Sequence, residues 1–322
     1  MKIVVLERNS VGIDTPVDCY EMLGEVIYYP NTVTAQEVAE RVKDADVIVG
    51  NKAPFNEESL KDAPNVKLIC NFATGYDNVD IAYCKSRGIK VCNVVDYSTD
   101  MVAQHTFTLA LALGEKLYHY DHYVKSGQYA AQSRFSNFDV PFTELAGKTW
   151  GIVGMGNIGR KVAQIATAFG CKVIFYSASG HSTCTDYPRV DFDTLLAESD
   201  YLSLHCPLTD RTRDLIDKTA LEKMKKSAIL INVARGAVVN NRDLYEALQA
   251  GEIQAAGLDV LEKEPIAKDN PLGQFMDSDR LIITPHLAWA SVEARIRCVE
   301  GVYEKLAGTP NMYSLCLKPL LS

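Results

Sequence analysis

Three polar residues have side chains suited to proton transfer and to anion binding, and each follows a short apolar run typical of a strand. They are Arg235, Glu264 and His286. A histidine beside a carboxylate is held in one tautomer and can give a proton to a ketone oxygen while hydride reaches the carbon. The planar guanidinium of arginine can bind a carboxylate through two parallel hydrogen bonds. Singly these residues would be ordinary, but together, at successive strand ends downstream of a dinucleotide pattern, they fit hydride transfer to a 2-keto acid.

A glycine pattern predicts where the hydride donor binds. Gly154, Gly156 and Gly159 stand in the spacing G-x-G-x-x-G, directly after the apolar run Trp150–Val153 and at the start of a helical pattern. The first glycine permits a tight turn, the second lets backbone N–H groups approach a pyrophosphate, and the third lets helix and strand pack closely. The helix N-terminus, with Asn157 and Ile158, adds the positive end of a dipole. The pattern therefore predicts a dinucleotide site.

The residue after the second strand of this unit leaves the choice of dinucleotide open. Ser177 stands where an acidic residue would accept hydrogen bonds from the adenosine ribose. A neutral residue does not repel a 2′-phosphate, yet no arginine in the turn clamps one. His181 and Arg189 are either phosphate contacts or solvated loop residues. NAD and NADP both fit, and we favour NAD.

The elements that must position these residues form an α/β pattern. Ten strand-like runs alternate with helical stretches: Lys2–Leu6, Asp46–Val49, Lys67–Cys70, Ile89–Cys92, Thr149–Val153, Lys172–Tyr176, Tyr201–Leu204, Ala228–Asn232, Ala255–Asp259 and Leu281–Ile283. Such alternation predicts doubly wound parallel sheets, whose ligands bind at the carboxyl ends of the strands. An apolar helical segment at about Thr99–Leu117 separates two sets of runs. We expect two Rossmann-like domains: a discontinuous substrate domain, 1–98 plus 287–322, and a dinucleotide-binding domain, 99–286.

Composition excludes other classes of protein. The 33 Lys and Arg against 41 Asp and Glu give a net charge of −8, which disfavours binding to nucleic acid and to anionic membranes. The apolar stretches are too short to span a membrane. The nine cysteines form no C-x-x-C pair, so neither a disulfide framework nor a metal site is indicated. We expect a cytoplasmic enzyme without a metal.

Several stretches, spread over nearly the whole chain, resemble the D-isomer-specific 2-hydroxyacid dehydrogenases. Beyond the glycine pattern they are Ala73–Asp80, His205-Cys206-Pro207-Leu208-Thr209 with Thr212, Asn232-Val233-Ala234-Arg235-Gly236, Asp259–Pro265 and Pro285-His286. The resemblance implies that Arg235 binds the substrate carboxylate and carbonyl, that His286 is the general acid/base, and that Glu264 pairs with it.

The same resemblance implies further contacts. Asp259 would orient the nicotinamide carboxamide, and Thr106 would lie near the nicotinamide. The amides of Thr74 and Gly75 would hold the substrate carboxylate in a cleft between the domains. Other cofactor contacts would be His205, Cys206, Pro207, Thr212, Val233 and Ala234. A homodimer through the cofactor domains is implied as well, with the aromatic-rich segment Val102–Ser136 at its interface.

Two stretches resemble the glycerate dehydrogenase, or hydroxypyruvate reductase, branch of this family. They are Asn51-Lys52 and Leu287-Ala288-Trp289-Ala290-Ser291. Hydroxypyruvate/D-glycerate or glyoxylate/glycolate would then be the substrate pair. Trp289 would narrow the pocket and offer one N–H donor, or else be a core or interface aromatic.

Three alternatives remain at this stage. A phosphoglycerate dehydrogenase is disfavoured because no basic cluster for a phosphate is evident. A formate dehydrogenase is disfavoured because glutamine replaces the acid at the position of Glu264 in that branch. A dinucleotide-sensing corepressor could keep the same residues, and turnover of a keto acid would separate it from an enzyme.

Overall fold

Two parallel sheets organise the chain, as the alternation of strand and helix patterns predicts. The computed structural model describes residues 1–275, 277 and 279–308. By their internal contacts these residues form two units. Unit 1 comprises Met1–Ser98 with residues 289–308, and unit 2 comprises Thr99–Ala288.

The chain returns from unit 2 to unit 1 after Ala288, whereas the sequence predicted this return after His286, two residues earlier. The reason is local, because Leu287 and Ala288 donate their amides to the Asp259 carboxylate of unit 2. The expected first domain also included residues 309–322, which lie outside the described residues.

Unit 1 has a five-stranded parallel sheet in the order β2-β1-β3-β4-β5. The strands are β1 (Lys2–Val5), β2 (Glu25–Tyr28), β3 (Val47–Gly50), β4 (Leu68–Asn71) and β5 (Lys90–Cys92). Helices α1 (Ala35–Arg41), α2 (Glu57–Leu60) and α3 (Ile81–Ser86) and the 3-10 helices Arg8–Val11 and Asp18–Leu23 connect them. The edge strand β2 was not predicted from the sequence, although Val26, Ile27 and Tyr28 are apolar; none of its residues is fully buried.

Unit 2 has a six-stranded parallel sheet in the order β11-β10-β9-β8-β6-β7. The strands are β6 (Thr149–Val153), β7 (Lys172–Tyr176), β8 (Tyr201–Leu204), β9 (Ile229–Asn232), β10 (Ala255–Leu258) and β11 (Leu281–Ile283). The chain passes from β6 to β7 on one side and continues from β8 on the other side. The strand order therefore reverses at β6, and ligands of such sheets bind beside this switch point.

The helices of unit 2 are α4 (Thr99–Gly114), α5 (Leu117–Lys125), α6 (Gln128–Ala131), α7 (Asn157–Ala168), α8 (Phe192–Glu198), α9 (Lys218–Lys223) and α10 (Asn241–Ala250), with 3-10 helices at Gly236–Val238 and Pro271–Gln274. Helix α4 packs on α7, β9 and β10. Its Phe107 stacks on the fully buried Trp150 of β6, with ring centroids 4.5 Å apart. The predicted segment Thr99–Leu117 is thus a helix only to Gly114, because Lys116 adopts a left-handed backbone with φ of 57°.

Helix α11 (Val292–Ala307) returns to unit 1, where it packs on β4 and on the 3-10 helix Asp18–Leu23. The Tyr20 hydroxyl of that 3-10 helix donates to the carbonyl of Val299 at 3.0 Å. Within the described parts of the chain, no helix is long and apolar enough to cross a membrane. The same residues contain no group of three or more His, Cys, Asp or Glu arranged to hold a metal ion.

Candidate active site

A pocket of about 680 Å³ opens at the carboxyl ends of β6, β7 and β8, where the strand order of unit 2 reverses. Seven of the predicted cofactor residues line it: Gly154, Gly156, Ser177, His205, Cys206, Pro207 and Thr212. Three strands that are distant in sequence thus bring the glycine pattern and the His205–Thr212 loop to one cavity. The position and the lining fit a dinucleotide.

The glycines are required by the space around them. Gly154 has φ of +94°, and a Cβ there would lie 2.8 Å from the carbonyl oxygen of His205. A Cβ on Gly159 would collide with the carbonyl oxygen of Gly154. In contrast, a Cβ on Gly156 would meet nothing within 4 Å, so the open side of this turn is where a ligand can approach.

Helix α7 starts immediately after this turn and is positioned by its apolar face. Val162, Ala163 and Ala166 are buried against the sheet side of the unit, whereas Asn157 and Ile158 form the first turn. Gly156 is the N-cap residue and carries no side chain that could accept the first amides. The amides of this first turn and the helix dipole suit a pyrophosphate. The helix N-terminus, like the pocket lining, therefore fits a dinucleotide.

The turn after β7 is neutral. Ser177 is 7% exposed, and its Oγ lies 3.4 Å from Oγ of Ser179. The amide of Gly180 donates back to the Ser177 carbonyl at 3.0 Å. His181 lines the pocket, whereas Arg189 donates to the Gly180 carbonyl at 3.1 Å and so braces the turn.

The loop from His205 to Thr212 is fixed from within. The Thr212 hydroxyl donates to the Pro207 carbonyl at 2.7 Å and accepts the Thr209 amide at the same distance. His205 Nε2 lies 3.0 Å from Oγ of Ser203, which also accepts the indole N–H of Trp150. Burial lowers the pKa of His205 to about 3, so the imidazole is neutral in the folded protein.

The predicted catalytic residues follow three neighbouring strands, β9, β10 and β11. Nδ1 of His286 lies 2.7 Å from Oε2 of Glu264, and Oε1 of that carboxylate accepts the amide of Leu261 at 3.0 Å. Because a carboxylate only accepts, Nδ1 carries a proton and Nε2 is the nitrogen that can exchange one with a ligand. This is the arrangement of a general acid held by an acidic partner.

Arg235 lies in a loop shaped by the last residue of β9. The Asn232 side chain donates to the Arg235 carbonyl at 2.9 Å and accepts the Ala234 amide at 3.0 Å. Gly236 lies against the backbone of Leu261, which brings this loop beside the one that carries Glu264. Val233 and Ala234 are buried, so their contribution to a ligand would come through the backbone.

Asp259 and Thr106 were predicted to lie near the nicotinamide, but both side chains are buried within unit 2. Asp259 is 1% exposed, and its carboxylate accepts the Thr284 hydroxyl and the amides of Leu287 and Ala288. Burial alone would raise the pKa of Asp259, but hydrogen bonds from His105, Thr284 and the two amides outweigh it and hold the pKa below its usual value. The Thr106 hydroxyl is fully buried and donates to the Val102 carbonyl within α4.

The predicted substrate residues Thr74, Gly75 and Trp289 belong to unit 1. The Thr74 hydroxyl donates to the Val94 carbonyl at 3.0 Å, which fixes the loop after β4. Trp289 packs edge-on against Tyr97, with ring centroids 6.2 Å apart.

Sequence reasoning did not single out His105, Ser203 or Thr284. Their role depends on hydrogen bonds between elements that are distant in sequence. The one feature of the sequence that could have pointed to His105 is its place as a polar residue in a largely apolar helix. The buried acid Glu7 was missed for the same reason. Its carboxylate accepts the amides of Asn51, Lys52 and Ala53 and so fixes the loop after β3.

Comparisons with known proteins agree with this geometry. Residues 107–288 match the family model described as D-isomer specific 2-hydroxyacid dehydrogenase, NAD binding domain. The chain is 37% identical to a hydroxypyruvate reductase of Blautia hydrogenotrophica, over 96% of this chain and 98% of that protein. It is 38% identical to a glycerate dehydrogenase of Methylorubrum extorquens, over 96% and 97%. It superposes on the crystal structure of a D-lactate dehydrogenase from Aquifex aeolicus with NAD and lactic acid at a TM-score of 0.83, with 30% identity, covering 96% of this chain and 95% of that one.

Proposed function

Because the chain belongs to the D-isomer specific 2-hydroxyacid dehydrogenase family, we propose that it reduces hydroxypyruvate or glyoxylate to the corresponding 2-hydroxy acid with a nicotinamide dinucleotide. The observation that carries the proposal is the 2.7 Å hydrogen bond between His286 and Glu264 at the carboxyl ends of β10 and β11. Relatives named for both ends of the same conversion, hydroxypyruvate reductase and glycerate dehydrogenase, support this substrate class.

Each residue at this edge of the sheet has a role in the proposed reaction. The Arg235 guanidinium binds the substrate carboxylate and polarises the neighbouring carbonyl. When bound, the reduced nicotinamide supplies the hydride. Protonated His286 gives the Nε2 proton to the ketone oxygen, and Glu264 stabilises the imidazolium before that transfer. In the reverse direction neutral His286 takes the hydroxyl proton.

The cofactor would be held by the pocket of unit 2, which we propose as the dinucleotide-binding domain. Gly154, Gly156, Asn157, Ile158 and Gly159 would hold the pyrophosphate. The loop with His205, Cys206, Pro207 and Thr212 would cover the adenosine side, whereas Thr106, Val233, Ala234 and Asp259 would belong to the nicotinamide side. Residues 177–180 carry no positive side chain for a 2′-phosphate, which supports NAD(H) as the preferred form.

Unit 1 would contribute the remaining substrate contacts, as a substrate domain. In this proposal the amides of Thr74 and Gly75 bind the substrate carboxylate. The Trp289 indole narrows the pocket and so limits the size of the substrate. The edge-on packing of Trp289 on Tyr97 supports this role, because it holds the indole in one orientation.

The same proposal includes a homodimer in the cytoplasm. Helices α5 and α6 bury none of their residues within the chain, and Tyr118, Tyr129 and Phe135 are 50%, 42% and 87% exposed. An aromatic surface of this kind suits a second copy of the chain. The eight described cysteines are free thiols, which suits a reducing compartment. Light scattering with and without Phe135→Asp tests the dimer.

The enzymatic proposal is tested by following the loss of reduced-nicotinamide absorbance. Hydroxypyruvate, glyoxylate and pyruvate would each be offered with NADH and with NADPH at matched concentrations. We expect the highest kcat/KM with hydroxypyruvate or glyoxylate. Tight dinucleotide binding without turnover of any of the three acids would contradict the proposal and indicate a sensor.

A further inference from the structure

Two buried side chains, His105 and Asp259, and the half-buried Thr284 form a continuous hydrogen-bonded network beside His286. His105 lies in the middle of α4, Asp259 directly follows β10, and Thr284 directly follows β11. Nε2 of His105 lies 2.9 Å from Oγ1 of Thr284, which lies 2.6 Å from Oδ1 of Asp259. Nε2 of His105 is also 3.4 Å from that carboxylate oxygen.

The direction of these hydrogen bonds follows from chemistry. The Asp259 carboxylate only accepts, so the single hydroxyl proton of Thr284 points to it. Thr284 must then accept from His105, and the imidazole of His105 carries its proton on Nε2. His105 is thus a donor here, whereas His286 donates through Nδ1 to Glu264. The two histidines are held in opposite tautomers.

The network encloses the turn that carries His286. The amide of His286 donates to the Asp259 carbonyl at 2.9 Å, and the amides of Leu287 and Ala288 donate to the Asp259 carboxylate at 2.7 and 2.8 Å. His286 itself has φ of 58°, a left-handed backbone that a non-glycine residue adopts only where its surroundings hold it. The carboxylate of Asp259 provides much of that hold.

A buried carboxylate is stable only if enough donors satisfy it. The side chain of Asp259 is fully enclosed, and the hydrogen bonds that satisfy its carboxylate also tie it to the turn after β11. His105 contributes from α4, the first helix of unit 2, and ties that helix to the ends of β10 and β11.

We propose that His105 is a positioning residue: through Thr284 and Asp259 it holds the left-handed turn that presents His286 to the keto acid. This inference rests on the proposed role of His286 as general acid. Replacing His105 should therefore slow the proton-transfer step and lower kcat. The pyrophosphate site at Gly154, Gly156 and Gly159 lies between β6 and α7, outside this network, so binding of the dinucleotide should change little.

The test compares two substitutions at one position. The amide nitrogen of Gln can reach the place of the imidazole Nε2 and donate to Thr284, whereas Phe has a ring of similar size and no donor. We expect His105→Phe to lower kcat about 10- to 100-fold, the range for displacement of a reacting group by up to about 1 Å. The KM for the dinucleotide should stay within about twofold, and His105→Gln should recover most of kcat. Melting temperatures of both variants would be measured alongside.

A second measurement does not depend on turnover. In spectra of protein labelled with 15N at histidine, assigned with the variant His286→Gln, wild-type His105 should show the Nε2–H tautomer. The His286 signals should shift or broaden in His105→Phe and keep their wild-type positions in His105→Gln. A wild-type chain inactive on all keto acids would overturn the proposed function, yet these spectra would still test the positioning role.

Several outcomes would overturn the inference. One is an unchanged kcat in folded His105→Phe. Another is an equal loss of activity and melting temperature in both variants, which would indicate a merely structural role. A third is a raised KM for the dinucleotide with normal kcat, which would mean that the network serves the cofactor rather than the turn.

Discussion

Nδ1 of His286 lies 2.7 Å from Oε2 of Glu264, while Oε1 of the same carboxylate is held by the Leu261 amide at 3.0 Å. The acid is therefore fixed from its own loop and in turn fixes the imidazole. A histidine bound in this way has one nitrogen committed to the protein and one left for the substrate. Substitutions at this pair and at the residues around it should therefore affect the reaction in distinct ways.

Replacing His286, the proposed general acid, should separate chemistry from binding. We expect His286→Ala to lose about 100-fold or more of the keto-acid reduction rate, the range for a lost general acid. The Kd for the dinucleotide, measured by nicotinamide fluorescence, should stay unchanged, because the glycine turn lies on β6 and α7. Normal turnover by this variant would refute the assigned role.

Removing the charge beside His286 tests the pair directly. Glu264→Gln keeps the shape of the side chain but no longer stabilises an imidazolium, so we expect kcat to fall about 10- to 100-fold. Glu262→Gln is the matched control, since Glu262 is exposed on the same loop. Equal activities of the two variants would show that the 2.7 Å contact has no part in the reaction.

The arginine should not be replaceable by another cation. Arg235→Lys keeps the charge and loses the planar pair of donors, so kcat/KM for the keto acid should fall while the Kd of the dinucleotide does not change. Arg242→Lys on the exposed face of α10 serves as the control. An unchanged kcat/KM in Arg235→Lys would mean that the guanidinium does not bind the substrate.

The turn after β7 should determine cofactor choice. Ser177→Asp places a carboxylate in the pocket, where it would repel a 2′-phosphate and accept hydrogen bonds from a ribose. We expect the ratio of kcat/KM for NADH over NADPH to rise at least tenfold, a coupling of about 1.4 kcal/mol. Binding of 2′,5′-ADP and 5′-AMP by calorimetry provides a readout without turnover. A constant ratio would show that the turn does not contact that group.

Acidification should destabilise unit 2 through His205. Burial lowers the pKa of its imidazole to about 3, from an ordinary value of 6.5. Between these values the unfolded chain binds a proton that the folded chain does not, so this contribution to the free energy of unfolding falls as pH drops from 6.5 towards 3.

The measurement is urea unfolding of the dinucleotide-free protein from about pH 7 to about pH 4. The His205→Gln side chain cannot be protonated, so the free energy of unfolding of this variant should fall less steeply with decreasing pH than that of the wild type. The difference in slope should correspond to close to one proton taken up on unfolding. His122→Gln, at an exposed position of α5, is the control and should follow the wild type. Identical pH dependence in all three proteins would contradict the buried neutral state of His205.

The sequence by itself determined the fold class and most of the elements. Among the described residues, ten of the eleven strands were predicted from apolar runs. The central parallel strands bury both faces and so have a continuous apolar sequence. The edge strand β2 was not predicted: Val26, Ile27 and Tyr28 are apolar, but its residues are only half-buried or exposed. The spacing of Gly154, Gly156 and Gly159 was equally informative, since the turn and the close helix–strand packing need glycine for local steric reasons.

Only the tertiary structure decided how the predicted residues are held. Sequence placed Arg235, Glu264 and His286 at strand ends, but the order β11-β10-β9 makes those ends neighbours. The hydrogen bond of His105 to Thr284 joins residues 179 positions apart. Periodicity reports burial and local conformation, whereas such a bond and the left-handed backbone of His286 depend on which elements pack together.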